Sequence, residues 1–386
     1  DEIARAIAHR IRSFHDSPAI QHRLAFLEAK DNERTKRRSL SVVRTPFFCS
    51  GCPHNTSTRV PDGSRAHGGV GCHYMATNMA RGNVTHPHMG GEGANWIGMS
   101  RFVETEHVFQ NLGDGTYFHS GLLAIRACVA AGVNITYKIL YNDAVAMTGG
   151  QPVDGNIDPA AISRQVHAEG VNHLAIVTDQ PEKYSGQHHR LAPGTEIHHR
   201  RSLDEVQKNF RRHHGVSVII YDQTCAAEKR RRRKRGTFPD PEQRMFINER
   251  VCEGCGDCSD KSNCLSIVPV ETQYGRKRRV DQSSCNKDFS CREGFCPSFV
   301  SVQGGRLRRL AGVAEVPRHL QLLPEPDRPD LLNDRPYNIL VTGIGGTGVV
   351  TISAMITMAA HLEGQACQAI DQFGMAQKGG AVTSHI

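Results

Sequence analysis

Three apolar runs constrain the fold of this 386-residue chain more than any other feature of its sequence. They read VNITYKILY at 133–141, HLAIVTD at 173–179 and VSVIIYD at 216–222, and helical patterns separate them. Uninterrupted apolar strands that alternate with helices are typical of a parallel sheet covered on both faces. The sequence therefore predicts an α/β fold with a parallel sheet at its centre.

Composition and the cysteines narrow the class of protein. The net charge is +8, and no apolar stretch approaches the roughly 18 residues of a membrane span, so neither a membrane nor a nucleic-acid partner is expected. Seven of the thirteen cysteines lie between Cys252 and Cys296. That density, without a secretion signal, favours metal or cluster ligation over disulfides and predicts a cytoplasmic protein. Because the chain starts without a methionine, we expect it to be a piece of a longer polypeptide.

A glycine-flanked acid and a distant asparagine point to a phosphate site. Gly113, Asp114 and Gly115 precede a predicted helix, and Asn142 ends the run at 133–141. Ligands bind beyond the carboxyl ends of parallel strands, where glycines let the backbone approach a phosphate. Asp114 would repel that phosphate unless a cation lay between them. Mg²⁺ takes oxygen ligands, so we expect Asp114, Asn142 and the carbonyl group of Ala144 to hold it.

The spacing of these residues resembles the thiamine diphosphate motif, in which a Gly-Asp-Gly turn is followed after about 26 residues by an asparagine. The segment MTGGQ comes soon afterwards, and its Thr148 and Gly149 are expected to contact the cofactor. The alternative is a glycine turn and an unrelated asparagine at a strand end.

The cysteine-rich segment resembles the ligation pattern of bacterial ferredoxins. Three cysteines spaced three apart and a remote Cys-Pro fit one [4Fe–4S] cluster, with the ligands Cys252, Cys255, Cys258 and Cys296. The cysteines left over, Cys264, Cys285 and Cys291, are one ligand short of a second cluster, and Asp288 is a candidate for the fourth position. The sequence leaves open whether a second cluster is present. The rival interpretation is structural zinc, which usually takes two separated Cys-x₂-Cys pairs.

Longer motifs resemble one family. They include FFCSGCPHNTSTRVPDG, MGGEGANW, NLGDGTYFHSG, YNDAVAMTGGQP, YDQTCAAEKRRRRKRG and CEGCGDC, and they span the chain from about Pro46 to its end. Together they resemble the 2-oxoacid:ferredoxin oxidoreductases, specifically the fused-subunit indolepyruvate type. The resemblance implies conversion of an aryl 2-oxoacid and coenzyme A to aryl-acetyl-CoA and CO₂, with ferredoxin as electron acceptor. It also implies a homo-oligomer at full length, and it places His54 near the diphosphate.

The same resemblance implies a division of the chain. The expected parts are 1–40, the end of an α-type region; 41–250, the thiamine diphosphate-binding domain; 251–300, the iron–sulfur region; 301–336, a linker; and 337–386, the start of a Rossmann-like γ-type domain. In this family the catalytic glutamate that activates the cofactor belongs to the α-type region. We therefore expect it upstream of Asp1, and we expect this chain alone to be inactive.

Four alternatives stay open from the sequence. The substrate could be another 2-oxoacid, or the chain could be a non-catalytic electron-transfer module with a vestigial Gly-Asp-Gly turn. The run GIGGTG, with Gly343, Gly345, Gly348 and then Asp371, matches a dinucleotide fingerprint, although the family has this turn without a demonstrated dinucleotide. The basic run at 229–235 favours a solvated linker, and the sharper alternative is a docking surface for an acidic ferredoxin.

Overall fold

The computed structural model describes residues 2–36, 46–153, 155, 157–305, 324, 336–373 and 381–386. The chain divides into two units, Asp1–Pro46 and Phe47–Ile386. The boundary predicted at 40/41 and most of the predicted linker at 301–336 lie outside the described residues.

The first unit contains two helices, α1 (Glu2–Ile11) and α2 (Pro18–Lys36). Arg5 joins them, since its guanidinium contacts the Asp31 carboxylate at 2.5 Å and donates to the Leu27 carbonyl group. The charged helical segment expected before residue 40 is thus a pair of helices.

A seven-stranded parallel sheet forms the centre of the second unit, as the apolar runs predict. Its spatial order is β2-β1-β3-β4-β7-β5-β6, and every neighbouring pair is parallel. The strands are β1 (Arg65–His67), β2 (Asn83–Thr85), β3 (Val108–Gly113), β4 (Ile135–Tyr141), β5 (His173–Thr178), β6 (Glu196–His199) and β7 (Val216–Asp222).

Helices cover both faces of this sheet. On β4, Tyr137 and Ile139 pack into a core that includes residues of the 159–168 helix, whereas Leu140 packs into a second core with Leu203 and Phe210. A strand buried on both faces has no polar face, which is why these runs do not alternate. The helices of this part are α3 (His54–Ser57), α4 (Ala94–Met99), α5 (Asp114–Thr116), α6 (Leu122–Ala131), α7 (Pro159–Ala168), α8 (Leu203–Phe210) and α9 (Ala226–Lys234).

The helix after β3 begins earlier than the sequence suggested. We expected it to start near Ser120, but helical structure starts at Asp114, and a π-helical stretch, Tyr117–Gly121, joins α5 to α6. Its end is as predicted, because Gly132 caps α6 in the left-handed conformation at φ 65°. The Gly-Asp-Gly turn is therefore continuous with the helix.

The cysteine-rich segment forms a small unit of two antiparallel strand pairs. The strands are β8 (Arg244–Ile247), β9 (Ile267–Thr272), β10 (Gly275–Val280) and β11 (Phe299–Val302); β9 pairs with β10, and β8 with β11. One short helix, α10 (Asp257–Ser262), follows the first cysteines.

The C-terminal segment contains β12 (Leu340–Ile344), α11 (Val349–Leu362), β13 (Ile370–Phe373) and β14 (Ala381–His385). The GIGGTG run lies in the strand–turn–helix context that its pattern predicts, with Gly348 at φ 91° before α11. The sheet is antiparallel, because β14 lies between β12 and β13 and pairs with both. This arrangement differs from the parallel neighbours of a dinucleotide-binding fold.

The basic run is helical rather than a linker, and most of its side chains contact the rest of the fold. It forms helix α9, and Lys229, Arg230, Arg231, Arg232 and Arg233 each contact an acceptor elsewhere in the fold. The sequence alone did not reveal those acceptors, because they come from three distant segments, 143–149, 179 and 283–286. In the described ranges, no helix has both the length and the apolar character needed to cross a membrane.

Candidate functional site

Asp114 and Asn142 meet at the ends of two adjacent strands, β3 and β4. The Asp114 carboxylate is buried and accepts three backbone N–H groups: Gly115 at 2.8 Å, Asn142 at 2.9 Å and Asp143 at 3.0 Å. Burial nevertheless raises the pKa of Asp114 to about 6. A cation beside this carboxylate would favour its charged form, so the position suits the magnesium ligand that the sequence predicts.

Asn142 presents an amide oxygen that no residue in the described part of the chain satisfies. Its Oδ1 atom is buried and has no hydrogen-bond partner among the described residues, while its Nδ2 atom lies 3.5 Å from His54 Nε2. A buried polar atom without a partner is uncommon and calls for an explanation, such as a bound ion. Ala144 is buried in the same loop. The observed donor set of carboxylate and amide oxygen fits Mg²⁺.

Two buried histidines line this region. Burial lowers the pKa of His54 to about 3 and that of His73 to about 4, so both rings are neutral at physiological pH. His54 Nδ1 lies 3.2 Å from Ser57 Oγ, and its Nε2 atom faces Asn142, so the His54 loop reaches Asn142. The contact between His54 and a diphosphate stays a prediction.

His73 is a residue that the sequence reasoning missed. Its Nε2 atom is buried and lacks a partner in the described structure. Glycines surround the ring: a Cβ atom on Gly69 would lie 2.8 Å from Nε2, one on Gly71 2.8 Å from Cε1, and one on Gly113 3.4 Å from Cε1. The glycine-rich run before Cys72 was the available signal, since glycines permit close approach of another group.

The loop after Asn142 is held by its own contacts. Thr148 is exposed, and its hydroxyl group donates to Gln151 Oε1 at 2.8 Å. The Gly149 carbonyl group accepts from Arg231 at 2.5 Å. Because both residues are engaged within the protein, their predicted contacts with the cofactor stay predictions.

The segment MGGEGANW supports the glycine-rich loop. Glu92 is fully buried, and its two carboxylate oxygens accept from Val70 N at 3.3 Å and Gly90 N at 2.6 Å. Trp96 is a core residue, since it is buried and donates to the Asn134 carbonyl group. Its role in packing, the more frequent role of a lone tryptophan, is confirmed.

Several of the seven clustered cysteines lie close enough to shift one another's pKa, and their assignment to two clusters stays a prediction. Burial raises the pKa of Cys258, and the neighbouring thiols of Cys252 and Cys296 raise it further. Burial likewise raises the pKa of Cys291 to about 12, with smaller contributions from Cys264 and Cys285. Cys255 is exposed in the loop before α10. All thirteen cysteines belong to the described residues, and none forms a disulfide.

A third thiol group was not predicted. The pKa of Cys52 is raised well above its ordinary value, first by burial and then by the thiols of Cys49, Cys225 and Cys72. Cys49 and Cys52 have the Cys-x₂-Cys spacing of half a zinc site. Their neighbours are two single cysteines, Cys72 at the start of the 72–78 turn and Cys225 before α9.

The thiol groups are not compact single-ion sites. In the ranges that the structure describes, no three His, Cys, Asp or Glu side chains are arranged to hold one metal ion. A four-iron cluster is larger than an ion and keeps its thiolates farther apart. Asp288, the candidate fourth ligand of the second group, is already engaged, because its Oδ1 atom accepts from Arg200 at 2.6 Å and from Gln223 at 2.8 Å.

Comparisons with known proteins agree with this site. Residues 69–221 match the family described as the thiamine pyrophosphate enzyme C-terminal TPP-binding domain, and residues 338–386 match pyruvate ferredoxin/flavodoxin oxidoreductase. The first match contains Asp114 and Asn142.

Curated relatives are named indolepyruvate oxidoreductase subunit IorA. The Archaeoglobus fulgidus protein is 25% identical over 69% of this chain and 41% of its own length, and the Thermococcus kodakarensis protein is 25% identical over 69% and 42%. The chain thus spans less than half the length of these relatives. A solved 2-oxoglutarate:ferredoxin oxidoreductase from Magnetococcus marinus is 18% identical and covers 52% of this chain and 67% of its own, with a TM-score of 0.37.

The two family matches lie in the order that the sequence predicts, with a thiamine-binding segment before an oxidoreductase segment. The archaeal relatives extend over more of the chain than either match alone. The chain is thus similar, at 24–25% identity, to indolepyruvate oxidoreductases and contains matches to a thiamine pyrophosphate-binding family and a 2-oxoacid oxidoreductase family.

Proposed function

We propose that this chain carries the thiamine diphosphate site and the iron–sulfur clusters of an enzyme that oxidatively decarboxylates an aryl 2-oxoacid such as indolepyruvate. Coenzyme A would accept the acyl group, and ferredoxin would accept the electrons. The observation that carries the proposal is the pairing of the buried Asp114 carboxylate with the unpartnered Asn142 Oδ1 atom at adjacent strand ends. The predicted cytoplasmic location and homo-oligomer stay predictions.

Each residue of the site has a part in holding the cofactor. Asp114 and Asn142 would hold Mg²⁺ through a carboxylate and an amide oxygen, and glycines at 113 and 115 leave room for the diphosphate. When bound, thiamine diphosphate supplies a carbanion that attacks the 2-oxoacid carbonyl group. The neutral rings of His54 and His73 can donate or accept a hydrogen bond without adding charge.

The third thiol group, which comprises Cys49, Cys52, Cys72 and Cys225, is the best candidate for holding the cluster that accepts electrons first. Cys225 N donates to the Asn142 carbonyl group at 3.0 Å, and Cys52 is two residues before His54. The loop between Cys49 and Cys52 contacts the cysteine-rich unit, since Ser50 Oγ accepts from Ser266 at 2.8 Å. Electrons would therefore pass from the cofactor to a cluster held by the thiols at 49, 52, 72 and 225, and then to clusters held by the two groups of the cysteine-rich unit.

The alternative of a vestigial site is disfavoured by two polar atoms. Asn142 Oδ1 and His73 Nε2 are both buried without a partner among the described residues. An unsatisfied buried polar group costs on the order of 1–3 kcal/mol, so retention of both is better explained by a ligand that satisfies them.

Titration of the 386-residue chain with thiamine diphosphate and Mg²⁺ by calorimetry tests the proposal. Asp114→Ala should weaken binding on the order of 100-fold or more, and Asn142→Ala less, because a carboxylate binds a hard cation better than an amide does. Asp204→Ala removes an exposed carboxylate that pairs with Lys208 and serves as the matched control. Equal affinity in wild type and Asp114→Ala would show that the site is misassigned.

A further inference from the structure

Helix α9 contacts two regions that the proposed function requires to work together. Its basic side chains reach the loop after Asn142 on one side and the segment around Cys285 on the other. A solvated basic helix would leave such side chains in water, where like charges repel one another. Here Glu228 also accepts ion pairs from Arg231 and Arg232 within the helix.

Arg232 faces the turn that carries the candidate magnesium ligand. Its NH1 atom lies 2.5 Å from Asp143 Oδ2, and NH2 donates to the Asp143 carbonyl group at 3.3 Å. Asp143 has a φ of 58°, which is unfavourable for a residue with a side chain. In that conformation its N–H group reaches the Asp114 carboxylate at 3.0 Å. The two contacts from Arg232 offset the strain and fix the turn.

Arg230 and Arg233 face the cysteine-rich unit. Arg230 donates to the Ser283 carbonyl group and Arg233 to the Asn286 carbonyl group, each at 2.8 Å. These two carbonyl groups flank Cys285 closely in the sequence. Asn286 in turn donates from Nδ2 to the Ser50 carbonyl group at 2.7 Å, next to Cys49. One side of α9 is thereby connected to two thiol groups.

We propose that α9 is a brace: Arg232 positions the Asn142–Asp143 turn for the magnesium diphosphate, while Arg230 and Arg233 hold the cysteine-rich unit at a fixed distance from that turn. This inference deepens the proposed function and rests on it. Arg232 is a positioning residue, because it acts through Asp143 rather than on the cofactor. Arginine suits the role, since its planar group makes two contacts with one residue.

The first test measures cofactor affinity in the 386-residue chain. Arg232→Gln should weaken binding of thiamine diphosphate, at limiting Mg²⁺, by about tenfold, which is the usual effect of removing a group that orients a metal ligand. Lys234→Gln is the matched control, since Lys234 is exposed in the same run and makes the same change in charge. Arg232→Lys should restore part of the affinity, because lysine keeps the charge without the second contact.

A double-mutant cycle separates positioning from a general loss of stability. Asp143→Asn should also weaken binding, and its combination with Arg232→Gln should be no weaker than the stronger single variant, because both changes remove one interaction. If the losses of cofactor affinity in the two single variants multiply in the double variant, the proposal is wrong. Wild-type chain that binds no cofactor would contradict the proposed function instead, whereas equal binding by wild type and Arg232→Gln would contradict only the brace.

The second test concerns the other side of the helix. Arg233→Gln should leave cofactor affinity within about twofold but increase amide hydrogen exchange in the segment 283–289, because the anchor at Asn286 is lost. Unchanged exchange in Arg233→Gln would show that the helix does not hold the cysteine-rich unit.

Discussion

At the scale of single residues, His73 has a buried ring nitrogen that a bound ligand would satisfy. Its Nε2 atom is buried among glycines and has no partner in the described structure. Asp114 and Asn142 could be predicted from the sequence, because the strand-end rule applies to any parallel sheet. His73 was missed, since the glycine-rich run before Cys72 signals a close approach but does not show which ring the glycines surround.

Replacement of His73 by leucine separates a binding role from a packing role. The variant should bind thiamine diphosphate about tenfold more weakly, as loss of one buried hydrogen bond implies. The unfolding midpoint of the cofactor-free chain should change little, because the lost ring volume is offset by removal of an unsatisfied nitrogen. Calorimetry and thermal melts provide the two measurements. Unchanged affinity with a lowered midpoint would make His73 a packing residue only.

At the scale of secondary-structure elements, the apolar runs located the central strands. Strand β7 coincides with the run at 216–222, and β4 with all but the first two residues of the run at 133–141. The short strands β1, β2 and β6 were not predicted, because three or four residues are too few to show a hydrophobic periodicity. The sequence did not predict that the basic run forms a packed helix, because a run of basic residues does not show where their hydrogen-bond acceptors lie.

Strand β4 contains a buried lysine that ties the sheet to the loop of Cys49 and Cys52. Lys138 Nζ donates to the carbonyl groups of Ser57 and Arg59 and to Gln207 Oε1, at 2.8, 3.0 and 3.1 Å. Burial lowers the pKa of Lys138 to about 7, but three acceptors require all three N–H bonds of the ammonium group.

Lys138→Met should therefore destabilise the chain by about 2 kcal/mol, because buried acceptors lose their partner while the stem of the side chain keeps its packing. Urea unfolding measures the loss, and hydrogen exchange should rise first near residues 55–60. Lys208→Met, at an exposed lysine on α8, is the control. Equal stability of the two variants would mean that Lys138 does not anchor the loop.

At the scale of the whole molecule, the sheet order explains the third thiol group. Cys225 follows β7, which lies next to β4, and the loops of Cys49, Cys52 and Cys72 lie near the β1 side of the same edge. Sequence spacing suggested the ferredoxin-like cysteines because they are local, but it could not join cysteines 20 to 176 positions apart. To predict that these distant cysteines lie together, one must know the strand order, and no short motif contains that information.

Electron transfer from the thiamine site to iron–sulfur clusters is the central step of the proposed function. Iron analysis and electron paramagnetic resonance on anaerobically prepared, dithionite-reduced chain test it directly. We predict at least about four irons per chain. Cys255→Ser should remove the signal of the cluster that Cys252, Cys258 and Cys296 share, whereas Cys285→Ser should leave that signal in place. Stoichiometric zinc without a reducible signal would contradict the electron-transfer role and, with it, the oxidoreductase function.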